Sequence, residues 1–147
     1  MVSLARSKFN SLEGKWNFTR IIEDKITNTR NNIEGTCVFI KLDSDIYQYD
    51  ESGIIELNFK EYPFTRSYIY HFVNDGVDII FNDGLSKGQI FNRLDFNVDN
   101  CSDSHICNLD KHFSEYQFIS DFEFDIKHTV VGPVVNYISF TSFTKKS

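Results

Sequence analysis

Residues 12–22 read LEGKWNFTRII. Side chains alternate along a strand, so Trp16, Phe18, Arg20 and Ile22 would share one face, and Lys15, Asn17, Thr19 and Ile21 the other. The only Trp and an Arg therefore point the same way. If that way is inward, the guanidinium needs an anionic partner, because desolvating an unpaired charge is expensive.

The same period-two alternation recurs along nearly all of the 147 residues, and helical spacing is almost absent. Strands are expected at 35–42, 64–73 after Pro63, 77–81, 89–96, 104–107 and 136–145. Residues 23–32 read as a loop or ragged hairpin, and 45–60 as two strands turning at Glu51-Ser52-Gly53. Asn74-Asp75-Gly76 is a strong hairpin turn. Residues 82–88 make another turn, 97–104 a polar loop and 108–111 a short turn. The stretch 112–130 exceeds the usual strand length of about 3–10 residues, so a loop is expected at Ile119-Ser120-Asp121, pairing Phe118 with Phe122. The pattern amounts to an all-β chain, an up-and-down antiparallel β-barrel of about eight to ten strands, with one short helical turn allowed near the N-terminus. One domain, residues 1–147, accommodates this length. A closed barrel also removes the edges that so aromatic a sheet would expose, with its 15 Phe and 7 Tyr.

Charge and cysteine usage narrow the partners. The net charge is −6 and no long basic cluster occurs, which argues against a nucleic-acid backbone as partner. Three cysteines are an odd number, unlike a secreted disulfide framework. With neither a signal-like apolar start nor a run of membrane-spanning length, the expected setting is cytoplasmic, with no membrane span.

Gly14-x-Trp16 at the head of the first strand, and a last strand ending in Lys145, resemble the signature of lipocalins and their calycin relatives. Over nearly the whole chain the sequence resembles a family of small uncharacterised lipocalin-like proteins from bacteria and fungi. The residues that carry this are Gly14, Trp16 and Arg20; Tyr49, Glu51 and Gly53; Arg66, Tyr68 and Tyr70; Phe81, Asp83 and Gly84; His105, Cys107 and Asp110; and Gly132-Pro133. The chain departs from that pattern at His112, where Tyr is usual, at Val135, where a basic residue is common, and at Lys145, in place of Arg. The resemblance implies a lipocalin-like barrel and no particular activity.

Within that frame, Arg20 either anchors a ligand carboxylate or phosphate, pairs internally with Glu51, Asp110 or Glu123, or sits at an open rim. Arg66, Tyr68 and Tyr70 share one strand face and could grip a polar head group, if that face is the inner one. His105, Cys107, Asp110 and His112 form the densest polar cluster. Their spacing is loose for zinc, and His105 and Cys107 at i and i+2 stand about 7 Å apart, too far for a nucleophile–base pair. His71 and His128 stand alone, and a haem ligand is the less favoured reading of either. The candidate ligand-binding set is Trp16, Arg20, Tyr49, Arg66, Tyr68, Tyr70, His105, Cys107, Asp110 and His112, with no catalytic residue, metal or cofactor assigned. The favoured function is a barrel holding a small, partly apolar, anionic ligand. The alternatives are a barrel plugged by its own aromatics that works through its surface, and an enzyme using His105, Cys107, Asp110 or His112.

Overall fold

The computed structural model describes residues 2–146. A helix, α1 (Leu4–Ser11), precedes ten strands: β1 (Gly14–Asp24), β2 (Thr29–Asp43), β3 (Ile46–Leu57), β4 (Lys60–Val73), β5 (Gly76–Phe81), β6 (Ile90–Asp95), β7 (Asn100–Cys107), β8 (Asp110–Ser120), β9 (Glu123–Val131) and β10 (Asn136–Lys145). Each pairs antiparallel with its sequence neighbour, and β1 pairs with β10. The only seam lies between β6 and β7, where the Arg93 backbone N–H donates to the Asp103 carboxylate at 2.8 Å. The result is the expected up-and-down barrel, nearly closed.

The register puts Trp16, Phe18 and Arg20 inward, facing Cys37, Gly35 and Ile33 of β2. Gly53 is not a turn residue. It lies in the middle of β3, opposite Gly35, and a Cβ there would come within 2.8 Å of the Phe64 ring. At Gly35 a Cβ would come within 2.5 Å of both the Phe18 ring and the Ser52 carbonyl. These glycines make room for aromatic rings on the inner face, the role of glycine within a strand rather than between strands. The turn comes later, at Asn58-Phe59, both with positive φ (53° and 64°).

Other expectations shift similarly. The loop at 97–104 shrinks, because β7 already begins at Asn100. The β8–β9 turn falls at 121–122, not 119–121. Phe118 therefore pairs with Phe124 across a bulge, and Phe122 stands out in solvent. Strands β1 and β2 run to Asp24 and from Thr29, leaving only four residues between them. Pro63 sits within β4, opposite Ile54. The turn at Asn74-Asp75 is as expected, with φ of 50° and 62°. The N-terminal segment forms an eight-residue helix rather than one turn, capped by Ser3, whose Oγ accepts the Arg6 N–H.

That helix closes one end. Ala5 and Phe9 are fully buried, and Phe9 stacks on Tyr47 with ring centres 4.2 Å apart. Trp16 donates its indole N–H to the Leu12 carbonyl, tying strand to helix. Lys145 lies over the Trp16 ring and donates to the Ser11 carbonyl at 2.8 Å. Above Trp16, the rings of Phe39, Phe124 and Phe143 fill the bore, with Phe124 and Phe143 stacked at 4.3 Å. Buried aromatics of this kind dominate core energetics.

Candidate functional site

The aromatic plug occupies only one half of the barrel. Beyond it a cavity of about 720 Å³ opens at the end opposite the helix. Tyr49, Tyr70, Tyr116 and Phe143 line its depth; Arg20, Glu51, Arg66, Tyr68, Phe91, His112 and His128 are among its walls. A second depression, about 610 Å³, lies against the barrel's side between Lys15, Asp50, Ser67, Asp83 and Lys146; apart from Cys37, Glu51 and Arg66, its lining comes from outward-facing positions.

Arg20 has its anion within the protein. Its two terminal nitrogens donate to the two carboxylate oxygens of Glu51 at 2.8 and 3.0 Å, and its Nε donates to Thr141 Oγ1 at 2.8 Å. Tyr49 completes the network by donating to Glu51 Oε1 at 2.6 Å. Burial opposes charge on both partners. The hydrogen bonds and charges they share overcome it, holding Glu51 below the ordinary carboxylate value and Arg20 above the ordinary guanidinium value. The internal pair is thus the outcome at Arg20, with Glu51 chosen over Asp110 and Glu123.

Arg66 differs. It is the cross-strand neighbour of Glu51 and points into the cavity, yet it has no ion-pair partner among the described residues. It is exposed to solvent at the mouth and borders both the cavity and the side depression. Tyr68 beside it raises its pKa against the opposing effect of burial, with Glu51 adding to the rise. The inner face of β4 is therefore the Arg66, Tyr68, Tyr70 face. Tyr68 stacks on Phe91 at 5.6 Å, and a bulge in the β5–β6 pairing turns Phe91 inward.

The opposite wall carries three imidazoles. His105 stacks on its cross-strand partner His112 at 4.8 Å, and His112 Nδ1 lies 3.2 Å from His128 Nε2. His128 Nδ1 in turn meets Ser114 Oγ at 2.8 Å. Burial, reinforced by the neighbouring His112, His105 and Arg66, pushes His128 down to about 4. Burial and His105 lower His112 as well, against the pull of Asp110. Both shifts favour the neutral imidazole. Among the described residues, no group of three or more His, Cys, Asp or Glu is arranged to hold a metal.

Several expected residues stand elsewhere. Trp16 belongs to the plug. Cys107 is exposed, opposite Asp110 across the β7–β8 turn, and neither of them lines the cavity. His105 reaches the cavity only through His112. His128 is not isolated, and it, Ser114, Phe91 and Tyr137 were not evident from sequence. The register of β8 with β9 sets Ser114 opposite His128, and closure of the barrel brings Phe91 of β6 and Tyr137 of β10 beside that ring.

Fold and cavity together define a small, nearly closed antiparallel β-barrel, covered by a helix at one end and hollow at the other. The chain belongs to a family of unknown function (DUF6314), which matches residues 12–145. No curated protein matches its sequence significantly. Among solved structures it is similar to the S-type phycobiliprotein lyase CPES from Guillardia theta (TM-score 0.66, 5% identity, 96% of this chain and 92% of that one). It is also similar to a de novo designed fluorescence-activating β-barrel (TM-score 0.53, 10% identity, 99% and 100%). A third similar structure is a redesigned β-barrel, mFAP0, bound to DFHBI (TM-score 0.52, 13% identity, 92% and 99%). At these identities the likeness is one of fold.

Proposed function

We propose that this protein binds a small, partly apolar, singly anionic ligand in the open half of its barrel, with Arg66 as the anchor. The observation that carries this is the contrast between the two arginines. Glu51 neutralises Arg20, whereas Arg66 faces the cavity with no carboxylate partner. Burial disfavours the charged form of both His112 and His128, which leaves Arg66, at the cavity mouth, as the lining cation without an ion-pair partner among the described residues. The two carboxylates at the mouth accept backbone N–H groups, Asp24 from Ile26 and Thr27, Asp83 from Ser67. Aromatic walls with a few convergent polar groups are the usual composition of a small-molecule site. The similar folds of a phycobiliprotein lyase and of a designed barrel bound to DFHBI are compatible with this use of the cavity.

The test uses 1-anilinonaphthalene-8-sulfonate, an aromatic monoanion whose fluorescence rises in apolar surroundings. Titration should give one saturable site, weakened about tenfold or more by Arg66→Met, the scale expected for losing a charge-assisted contact. Binding that is indifferent to Arg66→Met would remove the anchor from this reading.

A further inference from the structure

The two ends of the barrel differ in the chemistry of their turns. Five connections surround the open mouth, and each carries a large apolar residue held out in solvent. These are Ile26 (56% exposed), Phe59 (98%), Leu85 (106%), Leu109 (78%) and Val134 (82%). The four turns at the helix end read Asp43-Ser44-Asp45, Asn74-Asp75, Asn97-Val98-Asp99 and Asp121-Phe122; aspartate borders the mouth too, at Asp24, Asp83 and Asp110. Single exposed apolar residues are ordinary on protein surfaces. At the helix end Val98 (47%) and Phe122 (64%) stand out in two of the four turns, whereas at the mouth every connection carries such a residue.

Phe59 adds an independent observation. It occupies a left-handed position (φ 64°) in a two-residue turn. Such turns favour Asn, Asp or Gly, as at Asn74-Asp75 on the other end. A bulky residue there is strained and gains nothing from burial. Neither turn chemistry nor core packing accounts for this Phe.

We infer that this crown docks the open mouth onto a phospholipid surface. The mouth is the neutral end of an acidic chain, and so the end that phosphate repels least. Exposed lysines flank four of the five prongs: Lys25, which also meets Glu23 at 3.4 Å, Lys60, Lys87 and Lys111. The five mouth segments, 24–30, 56–61, 82–88, 107–111 and 131–136, hold five basic and five acidic residues, while the chain carries −6. The net negative charge therefore lies away from the mouth, on the side that would face water. Apolar side chains beside lysines suit an interface where hydrocarbon lies beneath phosphate. The prongs are separate and ring a cavity. A bilayer accepts such prongs one by one, whereas a protein interface centres on a contiguous packed patch. Docking in this way places the cavity mouth at the acyl boundary, where an apolar ligand can pass without crossing water. The inference does not depend on what the cavity binds.

Vesicle flotation without added ligand tests it, with vesicles of phosphatidylcholine alone and of phosphatidylcholine mixed with phosphatidylserine. The protein is expected to float with both. The combined variant Phe59→Gly, Leu85→Ser, Leu109→Ser should reduce partitioning at least about tenfold, given the apolar area withdrawn. Phe59→Gly relieves the turn, and all three positions are exposed, so circular dichroism and thermal melting should show an intact fold. Phe122→Ser, at the opposite end, should leave partitioning unchanged. Failure of the parent protein to float, equal flotation of the triple variant, or an equal loss in Phe122→Ser would overturn the inference. A protein that instead dimerises through the crown, and becomes monomeric in the triple variant without ever floating, would overturn it too, in favour of a second copy as occupant.

Discussion

The two halves of this barrel use the same strands differently. At the helix end the inward positions carry Trp16, Phe39, Phe124 and Phe143, and every ring meets another ring. At the open end Arg20 and His128, each four residues further along β1 and β9, stand with Arg66 of β4 and His112 of β8 around a space of about 720 Å³. The first half is solved by packing, the second by pairing. Its buried charge is tolerated because Glu51 and Tyr49 satisfy Arg20, and its histidines because burial favours the neutral imidazole. A barrel of this size can be filled by side chains or hold one small ligand, and this chain does each in turn along its axis.

Substitutions in the plug should cost stability, and substitutions in the cavity wall should cost binding. The largest expected effect is Trp16→Ala, which opens a void, strips the Leu12 carbonyl of its donor and uncouples the helix. A loss of about 3–5 kcal/mol in urea denaturation is expected. A loss under about 1 kcal/mol would show that the helix end is not the stabilising half.

Next comes the Arg20–Glu51 pair, the one charged element buried at the boundary. Glu51→Ala should cost about 3 kcal/mol, because it leaves a buried guanidinium unpaired. Arg20→Met with Glu51→Leu should restore most of that stability and keep the Arg66-dependent binding of the fluorescent anion. A double variant as unstable as the single one, or one that loses binding as Arg66→Met does, would mean the pair belongs to the ligand site and not to the frame.

The smallest effect sharpens the contrast by acid. The folded His128 titrates at about 4, below its ordinary value of 6.5. Between those values the unfolded chain binds more protons than the folded one, so stability falls as pH drops from about 6.5 to about 4. The contribution at stake is on the order of 2–3 kcal/mol. His128→Gln should flatten that window in denaturation curves collected across it. Glu51, also lowered in the fold, acts further down: its contribution is present above its unfolded value and lost as pH falls through its folded one. An unchanged slope in His128→Gln would place the acid sensitivity on another group.

Much of the frame was legible because alternation has a period of two, and a half-buried strand cannot hide it. The first and last strands and the Asn74-Asp75 turn lie where local pattern is strong, whereas a basic residue beside Trp16, found as Lys145, was implied by the family resemblance. Gly53 misled because glycine between two apolar runs ordinarily marks a turn. Here it marks a ring, Phe64, brought against it from the next strand. The true turn was masked by Phe59, a residue that turns disfavour.

From the sequence alone come the all-β class, the up-and-down order and the inward face of the first strand, since each depends on residues adjacent in the chain. Tertiary structure alone decided that Arg20 belongs to Glu51 while Arg66 stays free, that His128 meets His112 and Ser114, and that only half of the barrel is filled. Those outcomes depend on cross-strand register, and a shift of one residue would have turned each side chain to the other face.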